Sequence, residues 1–196
     1  MGVTVGILGG AFDPPHDGHV GLAIRAVRHF ALDRLLVRVV EHPGHKAVEA
    51  SASDRLALAT VAFADLELAE VALDPFARTV DSLEALALDD PIFLVGADEF
   101  ASFPGWKQPE RVLELARLGV ATRPGFARAT LDEVLAQLTH PERVELFQID
   151  PYAISSSEIR ERVERGESLD SLVPAGVAEE IERRGLYLPR SGYTET

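Results

Sequence analysis

Apolar runs and helical periodicities alternate along the whole chain. Residues 3–8 read as a buried strand, and residues 18–30 as a helix with Val20, Leu22, Ala23, Val27 and Phe30 at helical spacing. A second strand is predicted over 34–40, then a polar loop over 41–51, and Ser53 stands where it can cap a helix running to Ala64. Strand character returns over 66–73 and helical character over 79–88. The apolar run 91–95 stops at Gly96, which fits a parallel strand buried on both faces. Helices follow over 108–116 and 130–137, strands over 118–122 and 143–148. The C-terminal quarter reads as helix over 156–165 and 176–184.

This alternation predicts an α/β fold, a doubly wound parallel sheet with helices on both faces and a helical C-terminal part. In such Rossmann-like sheets ligands lie outside the carboxyl ends of the strands. No internal repeat, low-complexity tract or linker interrupts the pattern, so the expectation is a single domain over 1–188 and a frayed tail over 189–196.

Composition narrows the function classes. The chain has 196 residues, of which 46% are hydrophobic, enough to bury a full core. It has no Cys, which removes disulfides, thiolate metal sites and a thiol nucleophile. No run has the length of a membrane span, and residues 3–8 are too few for a signal-peptide core, so a soluble, cytoplasmic protein is expected. The formal net charge of −13 argues against nucleic acid, which needs a surplus of Lys and Arg on one face. A small anion needs only a local cradle of N–H groups and a few cations. Homo-oligomerisation is left open.

The junction after the first strand carries the chemistry. Gly9 and Gly10 let the backbone turn sharply and approach a ligand, and Pro14-Pro15 stiffens the loop. Gly18 then opens a helix. His16 and His19, three residues apart, can both lean toward its N-terminus, where unpaired N–H groups and the helix dipole favour an anion. This is a phosphate-binding design without the Lys of a Walker loop and without G-x-G-x-x-G.

The segment Gly9-Gly10-Ala11-Phe12-Asp13-Pro14-Pro15-His16-Asp17-Gly18-His19 resembles the HxGH family of nucleotidylyltransferases at every defined position of the family's signature. A second block, Ile154-Ser155-Ser156-Ser157-Glu158-Ile159-Arg160, has capping-box spacing from Ser155 to Glu158 and a cation one turn later. It is similar to the family's second signature, in which a helix N-terminus and an Arg hold the triphosphate. Further similarity points to the nicotinate mononucleotide adenylyltransferase branch. Phe93-Leu94-Val95-Gly96-Ala97-Asp98 looks like the end of that branch's central strand. Phe103-Pro104-Gly105-Trp106-Lys107 resembles the loop whose indole stacks on the pyridine ring. Arg123-Pro124-Gly125, Leu172-Val173-Pro174 and Gly185-Leu186-Tyr187 match other parts. Two departures stand out: Arg78 replaces an aromatic residue in the loop that reads the pyridine carboxylate, and Pro43-Gly44-His45-Lys46 replaces Pro-Pro-His-Lys.

The resemblance implies transfer of AMP from ATP to nicotinate mononucleotide, giving deamido-NAD and pyrophosphate. It assigns His16 and His19 to the triphosphate, and Lys46 and Arg160 to the charge developing on pyrophosphate. ATP is expected against Gly9, Gly10, Ala11, Phe12, Gly18, Gly96, Asp98, Ile154, Ser155 and Ser156. The acceptor is expected against Asp13, Lys46, Thr79, Val80, Trp106, Lys107 and Arg123. Mg²⁺ would bridge phosphate oxygens, held mainly by substrate and water. Three rivals remain. One is a metal-dependent hydrolase using the pairs His16–His19 and His42–His45 with Asp13, Asp17 and Glu41 nearby. Another is a non-catalytic nucleotide-binding protein on the same fold. The third keeps the chemistry but takes nicotinamide mononucleotide or another small phosphate as acceptor.

Overall fold

The computed structural model describes residues 2–44 and 47–189. Among them, β1 (Val5–Gly10), β2 (Arg34–Val40), β3 (Ala69–Asp74), β4 (Ile92–Gly96), β5 (Arg117–Thr122) and β6 (Val144–Gln148) form one sheet in the order β3-β2-β1-β4-β5-β6. Every neighbouring pair is parallel. This is the doubly wound architecture that the alternation predicts, and its order reverses between β1 and β4, where a ligand crevice opens.

Helices α1 (Asp17–Phe30) and α2 (Ala52–Ala62) connect the strands on one side of the reversal. Helix α3 (Thr79–Leu86) then carries the chain back to β4. The short α4 (Ala97–Phe100), α5 (Pro109–Leu115) and α6 (Arg128–Leu135) serve the other half, and α7 (Ser156–Glu164) and α8 (Ala175–Arg184) close the chain. The strand period of two sorts β2 cleanly. Leu35, Val37 and Val39 enter a core with Ala23, Leu58, Ile159 and Val177, whereas Leu36 joins Ile7, Phe93, Leu83 and Val112 on the opposite face. No helix among the described residues is long and apolar enough to cross a membrane.

Several boundaries differ from the sequence reading, each for a local reason. β1 begins at Val5 because the Thr4 amide donates to the Asp33 carboxylate (2.7 Å) instead of entering the ladder. β3 begins at Ala69, after a turn closed by its own amide on the Leu66 carbonyl (2.7 Å). The cap of α2 is Ser51, not Ser53: the Ser51 Oγ accepts from the Asp54 amide (3.1 Å), while Ser53 bonds to the Ser51 hydroxyl. α4 and the 3₁₀ turn Phe103–Gly105 are too short to leave a periodicity in the sequence. The expected tail lies outside the described residues apart from Pro189.

Candidate active site

The crevice at the β1/β4 switch is a cleft of ≈ 1090 Å³, and the loop that follows β1 forms one wall. Gly10 is bare for a reason. A Cβ there would come within 3.0 Å of the Phe12 ring, which is buried beneath the loop. Phe12 itself takes the left-handed conformation (φ 51°) and meets the His19 ring edge-on at 5.1 Å, so its buried side chain supports an imidazole. His16 is the N-cap of α1. Its amide donates to Nδ1 of His19 (3.2 Å), which places the proton of neutral His19 on Nε2 and makes that atom a donor. The two rings lie 3.8 Å apart. Burial holds His16 at about 4, well below the ordinary imidazole value, and its buried Nδ1 has no hydrogen-bond partner.

Helix α1 offers fewer amides than a helix start ordinarily does. The Asp17 amide donates to the Leu172 carbonyl (3.0 Å) and the His19 amide to the His16 carbonyl (2.9 Å). The general expectation of several unpaired N–H groups is therefore corrected to a narrower one centred on Gly18.

The second sequence block docks directly onto this loop. Ser155 caps α7, its Oγ accepting from the Glu158 amide (3.2 Å). Ser156 Oγ donates to the Pro14 carbonyl (2.8 Å), and Arg160 Nη1 donates to the Asp13 carbonyl (2.8 Å). Glu49 holds the Arg160 Nε at 2.7 Å. Both signatures, more than a hundred residues apart in the chain, thus line one cleft.

Trp106 lines the same cleft and packs edge-on against Phe93 (6.3 Å) and Phe103 (5.2 Å), its Nε1 donating to Ser102 Oγ. Gly96, Asp98, Thr79, Lys107, Arg123 and Ile154 line the cleft too. Arg123 is paired with Asp98 (3.2 Å) and Lys107 with Asp81 (2.7 Å). Val80 is buried in the core, so only its backbone could meet an acceptor. The Asp13 carboxylate is also turned inward, 3% exposed, and accepts from the Glu49 amide (2.7 Å), the Ala50 amide (3.1 Å) and Tyr187 Oη (2.8 Å). A direct acceptor contact by that carboxylate does not fit this arrangement. His45 and Lys46 lie outside the described residues.

A family model described as cytidylyltransferase-like matches residues 7–162. The chain belongs to the cytidylyltransferase-like family. Within it, a Bordetella avium protein named "Probable nicotinate-nucleotide adenylyltransferase" is 35% identical over 193 residues, covering 94% of this chain and 98% of the relative. A Rubrobacter xylanophilus protein of the same name is 34% identical over 197 residues, covering 94% and 92%. Among solved structures, Plasmodium falciparum nicotinic acid mononucleotide adenylyltransferase complexed with NaAD superposes with a TM-score of 0.77 at 17% identity, covering 95% of this chain and 98% of that one. That likeness supports the family's fold.

This member of the cytidylyltransferase-like family also uses residues that sequence reasoning missed. Arg55, 1% exposed, donates to the carbonyls of Ala11, Val40 and Glu41 (2.8 Å each) and of Ala50 (3.2 Å). It ties the loop after β1 to the end of β2, and burial lowers its pKa from the usual guanidinium value. Tyr152 lies on α1, where a Cβ on Gly21 would come within 2.4 Å of its hydroxyl. Phe76 and Arg38 face the cleft. A charge inside an otherwise apolar parallel strand, as at Arg38, is the one signal that reading could have used.

Proposed function

We propose that the protein transfers the AMP moiety of ATP to the phosphate of nicotinate mononucleotide, with release of pyrophosphate. The observation that carries this reading is the pair of bonds Ser156–Pro14 and Arg160–Asp13, which brings both phosphate-handling segments together in the cleft that His19 and Trp106 also line. The nucleophile is a phosphate oxygen that is already ionised. One bond forms from it to the α-phosphorus, and the bond from the α-phosphorus to the bridging oxygen breaks, leaving with pyrophosphate. No proton must move, so catalysis reduces to alignment and charge neutralisation.

In this reading the Nε2–H of His19, the amides at Gly10–Ala11 and those at Ser155–Ser156 hold the triphosphate. His16 supports the same corner as a neutral ring, and Arg160 faces the leaving group, with Lys46 assigned there on sequence grounds alone. Trp106 offers the pyridine a face, and Thr79, Val80, Lys107 and Arg123 flank it. Asp98 enters through its pairing with Arg123, and Asp13 as a support of the loop.

The donor set suits Mg²⁺ carried on substrate oxygens. Asp13, Asp74 and Asp98 are each already bonded to protein donors, and no group of three or more His, Asp or Glu among the described residues is placed to hold a metal. Bound that way, the cation supplies neutralisation of phosphate charge.

The test is pyrophosphate release from ATP and Mg²⁺ with nicotinate or nicotinamide mononucleotide. His19→Ala is expected to lower kcat by roughly 10²–10³, the range for loss of one transition-state donor, with an unchanged circular dichroism spectrum. Near-wild-type turnover in that variant, or no product with either acceptor, refutes the proposal.

A further inference from the structure

Arg38 occupies an unusual position for a charged residue. Its neighbours Leu36 and Val40 share its face of β2, and it stands in register with Gly9 on β1 and Ala72 on β3. Gly9 has no side chain, and the space above it ends at Phe93, whose ring would lie 3.3 Å from a Cβ there. Trp106 packs edge-on against that ring. The floor of the acceptor end therefore runs from Arg38 across a bare strand to an aromatic corner.

The Arg38 Nε is buried without a hydrogen-bond partner. The residue as a whole is half-buried and lines the cleft, so its Nε is a donor that folded proteins ordinarily satisfy and that a ligand in the cleft can reach. Arg55, the other arginine turned inward near the cleft, has four carbonyls. The acid on the neighbouring strand, Asp74, is committed to Ser82 Oγ (2.5 Å) and the Phe76 amide (3.0 Å) and forms no ion pair with Arg38. Arg78, by contrast, is exposed at the rim, where water screens its charge.

Resting on the proposed function, we infer that Arg38 is the specificity-determining residue that reads the ring acid of the acceptor. Adjacent strands lie about 4.8 Å apart, so Arg38 and the Phe93 strand are separated by roughly 10 Å. A pyridine ring held against Trp106 and Phe93 spans Gly9 and brings a ring carboxylate to the guanidinium. A planar guanidinium pairs with a carboxylate through two parallel N–H···O bonds, and a carboxamide offers it one neutral oxygen.

Calorimetric titration of each mononucleotide into wild type, Arg38→Met and Arg38→Lys tests this, alongside kcat/KM for both acceptors. In Arg38→Met, affinity for nicotinate mononucleotide is expected to fall by about 10–100-fold, the range for one hydrogen bond to a charged group. Affinity for nicotinamide mononucleotide should change by less than about threefold, with Arg38→Lys between the two. Thermal stability should stay level or rise, because a donor left without a partner in the folded chain has been removed. Equal losses for both acceptors would mean that Arg38 reads their common phosphate, and would overturn the inference, as would an unchanged affinity for the acid. Should wild type bind neither mononucleotide, the proposed function fails first and this inference falls with it.

Discussion

Replacing Tyr187 with Phe removes a single hydroxyl from the support of the loop after β1. That hydroxyl donates to Asp13 Oδ1 at 2.8 Å, and the two residues are 9% and 3% exposed. Burial first, and then the Asp13 charge, push the Tyr187 pKa far above its ordinary value, so the group remains a donor at every working pH. The phenyl ring keeps its packing in the variant, and Asp13 keeps the Glu49 and Ala50 amides. The loss is thus one hydrogen bond to a buried carboxylate, about 1.5–3 kcal/mol. For a chain of this size each kcal/mol moves Tm by roughly 2–4 °C, so a drop of about 3–12 °C is expected. Urea unfolding should show a lower midpoint at unchanged slope, since the surface exposed is the same. Because Asp13 also presents its carbonyl to Arg160, the KM for ATP should rise with the loss of stability. A midpoint equal to that of wild type would refute the view that Tyr187 holds the loop.

Arg55→Met strips donors from four carbonyls and removes one of the two cations near the Asp13 carboxylate, leaving Arg160 at 3.9 Å; a loss of about 3–5 kcal/mol is expected, the range for breaking a buried charge network. Denaturant midpoints measure it, and wild-type stability in that variant would exclude the assigned role. His16 predicts a pH dependence. Its folded pKa of about 4 lies below the 6.5 of the unfolded chain, so protons bind the unfolded state first between those values. The corresponding stability is fully present above about pH 6.5 and is lost as pH falls toward 4, on the order of 3 kcal/mol at most. Urea midpoints at pH 7.5 and 4.5 should differ less in His16→Asn than in wild type, and identical pH slopes would contradict the burial argument.

The sheet was legible because β-strand and helix periods differ and each segment here obeys its own. The loop after β1 and the start of α7 were legible because their chemistry is local: glycines, imidazoles and a capping serine act on backbone within a turn of themselves. What binds these segments together was not. Arg55 sits at an ordinary position of a helix, and nothing in its neighbours says that it faces inward to four carbonyls. Asp13 and Tyr187 are 174 residues apart, and a tyrosine near the end of a helix signals no acid partner. Asp13 looked like a ligand for the same reason: an acid beside a phosphate loop is conspicuous in sequence, and only burial reveals that its oxygens are already taken. Arg38 could have been noticed, since a parallel strand buried on both faces rarely carries a charge.

The bond between Tyr187 and Asp13 also bears on how the protein is made. Synthesis delivers residue 13 early and residue 187 only after six strands have been translated, so the loop after β1 must wait, incompletely braced, while the rest of the sheet is assembled. Organisation of that loop is then among the final events of maturation, and a nascent chain halted before residue 187 would own a finished nucleotide fold whose working end has not yet been locked.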